Sequence, residues 1–155
     1  MADLKILQAV KATEDEPKPN KSMDKILQDL VNQMYSFYFK VHKYHWNITG
    51  SNFFDLHTMF NKMYDDVFDN IDTTAEFIRA LGVMVDIKAS SEGSNAKGDM
   101  QMVGDVLKAN KALLDALYAA EEAAEYYDHC DISNFIADRI GAHNKFAWML
   151  TAFKG

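Results

Sequence analysis

Apolar positions recur along this chain at steps of three and four, the spacing of a helix face, and no strand-like alternation is visible. Leu27, Val31, Met34, Tyr38, Val41 and His45 make one such stripe. They predict a first helix from about Ser22, its N-cap, to about Ile48. Thr49-Gly50-Ser51-Asn52 reads as a turn. A second stripe (Phe53, His57, Phe60, Tyr64, Val67, Ile71, Thr74, Ile78, Leu81) predicts a long helix opened by Asn52 and stopped by Gly82. Residues 83 to about 100 read as a linker with a short helical turn near Val85. A third, alanine-rich helix follows over about Gln101 to Tyr127, and a fourth over about Ile132 to Phe153, capped by Asp131.

Two short turns and one long crossover between the second and third helices predict an all-α, ferritin-like four-helix bundle, not a simple up-and-down one. Its expected extent is residues 22–155. Residues 1 to about 21 read as a flexible tail, because Glu14-Asp15-Glu16-Pro17-Lys18-Pro19 is charged and proline-broken. With 155 residues, 48% of them hydrophobic, the chain suffices for one domain with a proper core. A net charge of −7 argues against nucleic acid as the main partner, since phosphate binding needs a cationic footprint. It suits the attraction of cations and ordinary solubility equally well. No stretch has the length and apolarity of a membrane span, and no basic-then-apolar leader opens the sequence. The single Cys130 fits a reducing compartment. The expected location is the cytoplasm.

The candidate chemistry lies between His45 and Glu76. His45 stands just before the first turn and His57 just after it, so an antiparallel hairpin brings both imidazoles to one end of the helix pair. Asp72 and Glu76 lie one turn apart on a flank shared with His57. Two imidazoles and two carboxylates are a first-row metal's donor set and suit iron. Yet fifteen residues separate His57 from Asp72, about 22 Å along a straight helix at about 1.5 Å per residue. Either the two pairs serve different purposes, or a second subunit supplies the missing half. An antiparallel twofold crossing the second helix would place His57 of one chain near Asp72 and Glu76 of the other, giving identical sites in pairs. Taken singly, each histidine also suits a buried, hydrogen-bonded core position, and the two acids a solvated helix face. No Glu-x-x-His occurs, so the intra-bundle di-iron site of ordinary ferritins is not encoded.

The segment Tyr44-His45-Trp46-Asn47-Ile48-Thr49-Gly50-Ser51-Asn52-Phe53-Phe54-Asp55-Leu56-His57 closely resembles the Dps family. The likeness continues through Asp72-Thr73-Thr74-Ala75-Glu76, Leu81-Gly82 and Lys145-Phe146-Ala147-Trp148-Met149-Leu150, covering about residues 24 to 153. The resemblance implies a hollow homo-dodecamer that binds ferrous iron between twofold-related subunits. Such shells oxidise the iron preferably with hydrogen peroxide and store ferric mineral, protecting the cell from oxidative damage. It places His45 and His57 as ligands from one subunit, and Asp72 and Glu76 from its mate. Trp46, beside a ligand, suits either the uptake of oxidising equivalents or plain packing. The family's usual acid one turn after the second histidine is here Asn61, an uncharged amide and a weaker iron ligand; Asp65 lies a further turn on. Other acids of the family fall on Asn144 and Asn134, and its common arginine on Phe77. The fold is thus expected intact and the ferroxidase centre weakened. The alternative expectation is a DNA-compacting shell with a weakened centre, although the charge-balanced N-terminal segment predicts weak DNA binding. The acidic run Glu121, Glu122, Glu125, Asp128 and Asp131 suits a threefold pore or a solvated helix end.

Overall fold

A computed structural model describes residues 17–155 and places four α-helices among them: α1 (Met23–Asn47), α2 (Phe53–Ala80), α3 (Asp99–Tyr126) and α4 (Cys130–Lys154). α1 pairs with α2 and α3 with α4 as two hairpins, and α1 packs on α3 to join them. Among the described residues, no helix is long and apolar enough to cross a membrane.

The apolar stripes explain the packing. Leu27, Val31, Met34 and Val41 of α1 meet Leu56, Phe60, Met63, Val67, Ile71 and Ile78 of α2 in a core closed by Val103, Val106, Leu113 and Leu117 of α3 and Ile132, Ile136 and Leu150 of α4. Burying each such side chain stabilises the bundle by about 1.5–3 kcal/mol before the entropy cost. In the first half of α2 the buried line runs through Leu56 and Met63, one residue ahead of the expected stripe. His57 and Tyr64 therefore sit half-buried on the flank, and Phe53 is exposed.

Both turns are tight. α1 ends at Asn47, and Gly50, with φ 95°, supplies the left-handed residue that reverses the chain. Gly82, with φ 85°, stops the helix after Ala80 as its sequence position requires. At the α3–α4 corner the left-handed residue is Asp128, with φ 59°. That turn is shorter than the sequence suggests, so the N-cap of α4 is His129, and Asp131 lies inside the first turn. Its carboxylate there faces the positive end of the helix dipole.

The crossover carries no helical turn at Val85. Its backbone is held by side chains of α1 instead. The Asp86 amide donates to Gln28 Oε1 at 2.8 Å and the Lys88 amide to Asn32 Oδ1 at 2.7 Å. Farther along, Asp105 on α3 accepts from Lys40 Nζ at 2.6 Å and from the Tyr44 hydroxyl, and that hydroxyl accepts the Ala96 amide at 3.1 Å. Burial, then the bond to Asp105, pushes the Tyr44 phenol up to about 12.

Of the expected N-terminal tail, residues 1–16 lie outside the described residues. Just before α1, Lys21 pairs with Asp29 at 2.5 Å, and its carbonyl accepts the Tyr127 hydroxyl at 3.1 Å.

Candidate metal centre

The α1–α2 turn sets the geometry of the site. His45 occupies the last turn of α1, buried; His57 occupies the second turn of α2, half-buried. Because the hairpin is antiparallel, their rings stack with centroids 3.7 Å apart and planes 20° from parallel. Each Nδ1–H donates to the other residue's backbone carbonyl, His45 to His57 at 2.8 Å and His57 to His45 at 2.9 Å. A carbonyl can only accept, so both rings hold their proton on Nδ1 when neutral. The lone pair of each Nε2 is then free for a metal, with the tautomer and ring plane fixed by the bond behind it.

His42, one turn before His45, belongs to the same cluster although its sequence position was not singled out. Its ring lies 3.8 Å from that of Trp46, 4.3 Å from that of Tyr64 and 6.2 Å from that of His45. Burial, then the nearby His45, holds its imidazole below the ordinary histidine range, partly offset by Asp65. The i, i+3 spacing of His42 and His45 is the signal that could have found it. Tyr64 meets the His45 ring edge-on at 5.0 Å.

Asn61 lies one turn beyond His57, and both ends of its amide are engaged within α2. Its Oδ1 accepts the Tyr64 hydroxyl at 3.1 Å, and its Nδ2 donates to Asp65. Asp65, not Asn61, therefore carries the negative charge on this stretch. Of the other departures from the family pattern, Phe77 packs against Phe135 with centroids 5.5 Å apart, Asn144 donates to the Tyr118 hydroxyl at 3.2 Å, and Asn134 is exposed.

Asp72 and Glu76 are exposed on the outer flank of α2. The helix runs unbroken from Phe53 to Ala80, so the fifteen residues from His57 to Asp72 span about 22 Å. One protomer brings His45 and His57 together and leaves Asp72 and Glu76 apart from them. Among the described residues no single-chain group of three or more His, Cys, Asp or Glu side chains could hold a metal ion. The protomer presents two imidazoles near the start of α2 and two exposed carboxylates farther along the same helix.

The sequence and fold have relatives. A family model described as the ferritin-like domain matches residues 24–154. A Porphyromonas gingivalis protein called DNA protection during starvation protein is 31% identical, over 96% of this chain and 97% of its own. A Brevibacillus brevis protein of the same name is 26% identical, over 85% of this chain and 97% of its own. Among solved structures, Dps from Vibrio cholerae, described as a member of a broad superfamily of ferritin-like diiron-carboxylate proteins, superposes with a TM-score of 0.74. It is 26% identical, covering 86% of this chain and 89% of that one. Dps from Listeria innocua superposes with a TM-score of 0.81 at 21% identity, covering 88% and 97%, a likeness of fold. By these matches the chain belongs to the ferritin-like family, in its Dps branch.

Proposed function

We propose that this protein is an iron-storing ferroxidase whose metal sites are shared between twofold-related subunits of a hollow dodecamer. The observation that carries the reading is the reciprocal bonding of His45 and His57, which engages Nδ1 of each of two stacked rings and leaves Nε2 of each without that bond. A twofold axis across the middle of α2 brings the Asp72 and Glu76 carboxylates of the mate to those nitrogens. Two neutral imidazoles and two carboxylates then bind ferrous iron as substrate without burying uncompensated charge. Hydrogen peroxide is the proposed oxidant: two ferrous ions each give one electron to one peroxide, its O–O bond breaks, both oxygens end in ferric oxyhydroxide, and with two waters taken up four protons are released as the mineral is deposited in the cavity. Trp46 stands beside His45 and against His42, where it can supply an electron when only one ferrous ion is in place. The cytoplasm is the proposed location.

Asn61 adds no charge to this site, because its amide serves Tyr64 and Asp65. The proposed centre is consequently a weak one. DNA binding forms no part of this proposal, since Asp and Glu total 23 against 16 Lys and Arg.

The deciding experiment is anaerobic ferrous titration of the assembled protein followed by peroxide, with oxidation monitored optically and mass by light scattering. Saturable ferrous binding at a fixed ratio per dimer, then rapid peroxide-driven oxidation, is expected. A stable monomer of 17.6 kDa, or ferrous iron that does not bind, would overturn the assignment.

A further inference from the structure

One face of the α1–α2 hairpin is aromatic from end to end. Tyr35, Tyr38, His42 and Trp46 follow at steps of three and four on α1, and Tyr64, Phe68 and Asp72 at steps of four on α2. Tyr38 lies 6.0 Å from Tyr64 and 5.4 Å from Phe68, ring to ring, so the two rows form one continuous surface. Its two ends differ in shape. At one end Trp46 projects, 64% exposed, with the His42 ring tilted against it at 3.8 Å. At the other end is a hollow of about 400 Å³ with walls that include Tyr35, Phe68, Asp72, Ala75, Val85 and Ile87.

We infer that this hollow receives the indole of the partner's Trp46, so that one twofold contact both completes the metal site and buries its tryptophan. The inference rests on the shared-site reading and adds the occupant of the socket. Trp46 is the chain neighbour of His45, and Asp72 is at once a proposed ligand and a wall of the hollow. Any contact that brings His45 and the partner's Asp72 to one ion therefore brings Trp46 to the mouth of the hollow. A twofold axis normal to the aromatic face exchanges its ends, matching projection to recess twice in one interface, as a self-complementary contact requires. The chemistry also matches. An indole offers a broad apolar surface with a single N–H donor, and the hollow offers aromatic and aliphatic walls with carboxylates of Asp69 and Asp72 at hand. Seated there, the indole keeps bulk water off one side of the iron and stays in reach of the oxidant.

The test uses Trp148→Phe, which leaves Trp46 as the one remaining indole of the chain. In the assembled protein Trp46 should emit to the blue of the guanidinium-unfolded chain and resist acrylamide quenching several-fold better. Ala75→Phe, which fills the hollow, should raise quenching towards the unfolded level. Ile87→Asp, at a wall position exposed in the lone protomer, should do the same without touching the core. An assembled protein with Trp46 as quenchable as in the unfolded chain would overturn the inference. So would a shielded Trp46 that neither variant affects. A shielded and responsive Trp46 in a protein that binds no ferrous iron would support the socket and sink the iron reading instead.

Discussion

His45 and His57 each hold the other's backbone: the Nδ1–H of one donates to the carbonyl of the other, at 2.8 and 2.9 Å. This reciprocity makes the two imidazoles structural at one nitrogen and available at the other. The structural task of each ring occupies Nδ1 alone, so a buried, hydrogen-bonded position and a metal at Nε2 are compatible in one side chain.

Replacing both with alanine separates those roles. His45→Ala with His57→Ala should abolish rapid ferrous oxidation while the protein still assembles. Two neutral hydrogen bonds are lost, each contributing about 0.5–1.5 kcal/mol, so a lowered thermal midpoint is also expected. Calorimetry and ferrous titration on the same sample check both. Oxidation that persists in a folded double variant would show that iron is handled elsewhere.

Asn61→Asp should strengthen the centre. The new carboxylate keeps an acceptor for the Tyr64 hydroxyl, loses the donor that Asn61 gives to Asp65, and sets two acids against each other. Like charges at that distance destabilise the metal-free protein, and a bound cation relieves the repulsion. Ferrous binding is expected to tighten several-fold, with a charge-assisted ligand contributing about 1.5–3 kcal/mol, and the metal-free midpoint to fall. Initial oxidation rates at equal peroxide decide it; a rate no higher than that of the natural chain would show that the amide already serves.

His143 predicts a limb in the acid stability profile. Its ring is buried between α3 and α4, with Nδ1 donating to Asn110 Oδ1 at 2.7 Å, while Asn110 Nδ2 donates to the His143 carbonyl at 2.9 Å. Burial, with Arg139 nearby, lowers it to about 4 from the ordinary 6.5. Above about pH 6.5 the ring is neutral folded and unfolded, and its contribution is complete. Between about 6.5 and 4 only the unfolded chain takes up the proton, so stability falls, by roughly 3 kcal/mol at most. His143→Gln should flatten that part of a denaturant-measured profile relative to the natural chain; parallel profiles would refute the assignment.

Asp105 should anchor the crossover. Its carboxylate accepts from Lys40 and Tyr44, and Tyr44 in turn accepts the Ala96 amide. Asp105→Ala leaves a largely buried ammonium and a buried hydroxyl without their acceptor, at a cost of about 1–3 kcal/mol or somewhat more. Hydrogen exchange at the Ala96 amide should accelerate well beyond the global loss of stability. Exchange that tracked global stability alone would mean the crossover is held by Gln28 and Asn32 instead.

The helices, the two tight turns and the long crossover were legible in the sequence because they rest on local rules. Stripes at steps of three and four, Gly50 and Gly82 at positions that need positive φ, and an uninterrupted α2 all follow from neighbours along the chain. So did the pairing of His45 with His57, since a five-residue connection between antiparallel helices fixes which residues meet. Tertiary contacts decided the rest. The crossover at Val85 is extended because Gln28 and Asn32, more than fifty residues away, satisfy its backbone donors, which no local pattern announces. The line of burial on α2 passes through Leu56 and Met63 because packing selects between adjacent apolar residues, and that choice puts His57 and Tyr64 on the flank where a ligand can reach them. His42 is inside the cluster only because the folded hairpin sets its ring against Tyr64 of α2, whereas the partners of Asn61, Tyr64 and Asp65, lie three and four residues along its own helix. The sequence by itself determined what the helices are and which donors they carry; which histidine nitrogen is free and which face is left bare were decided by groups that meet only in the folded protein.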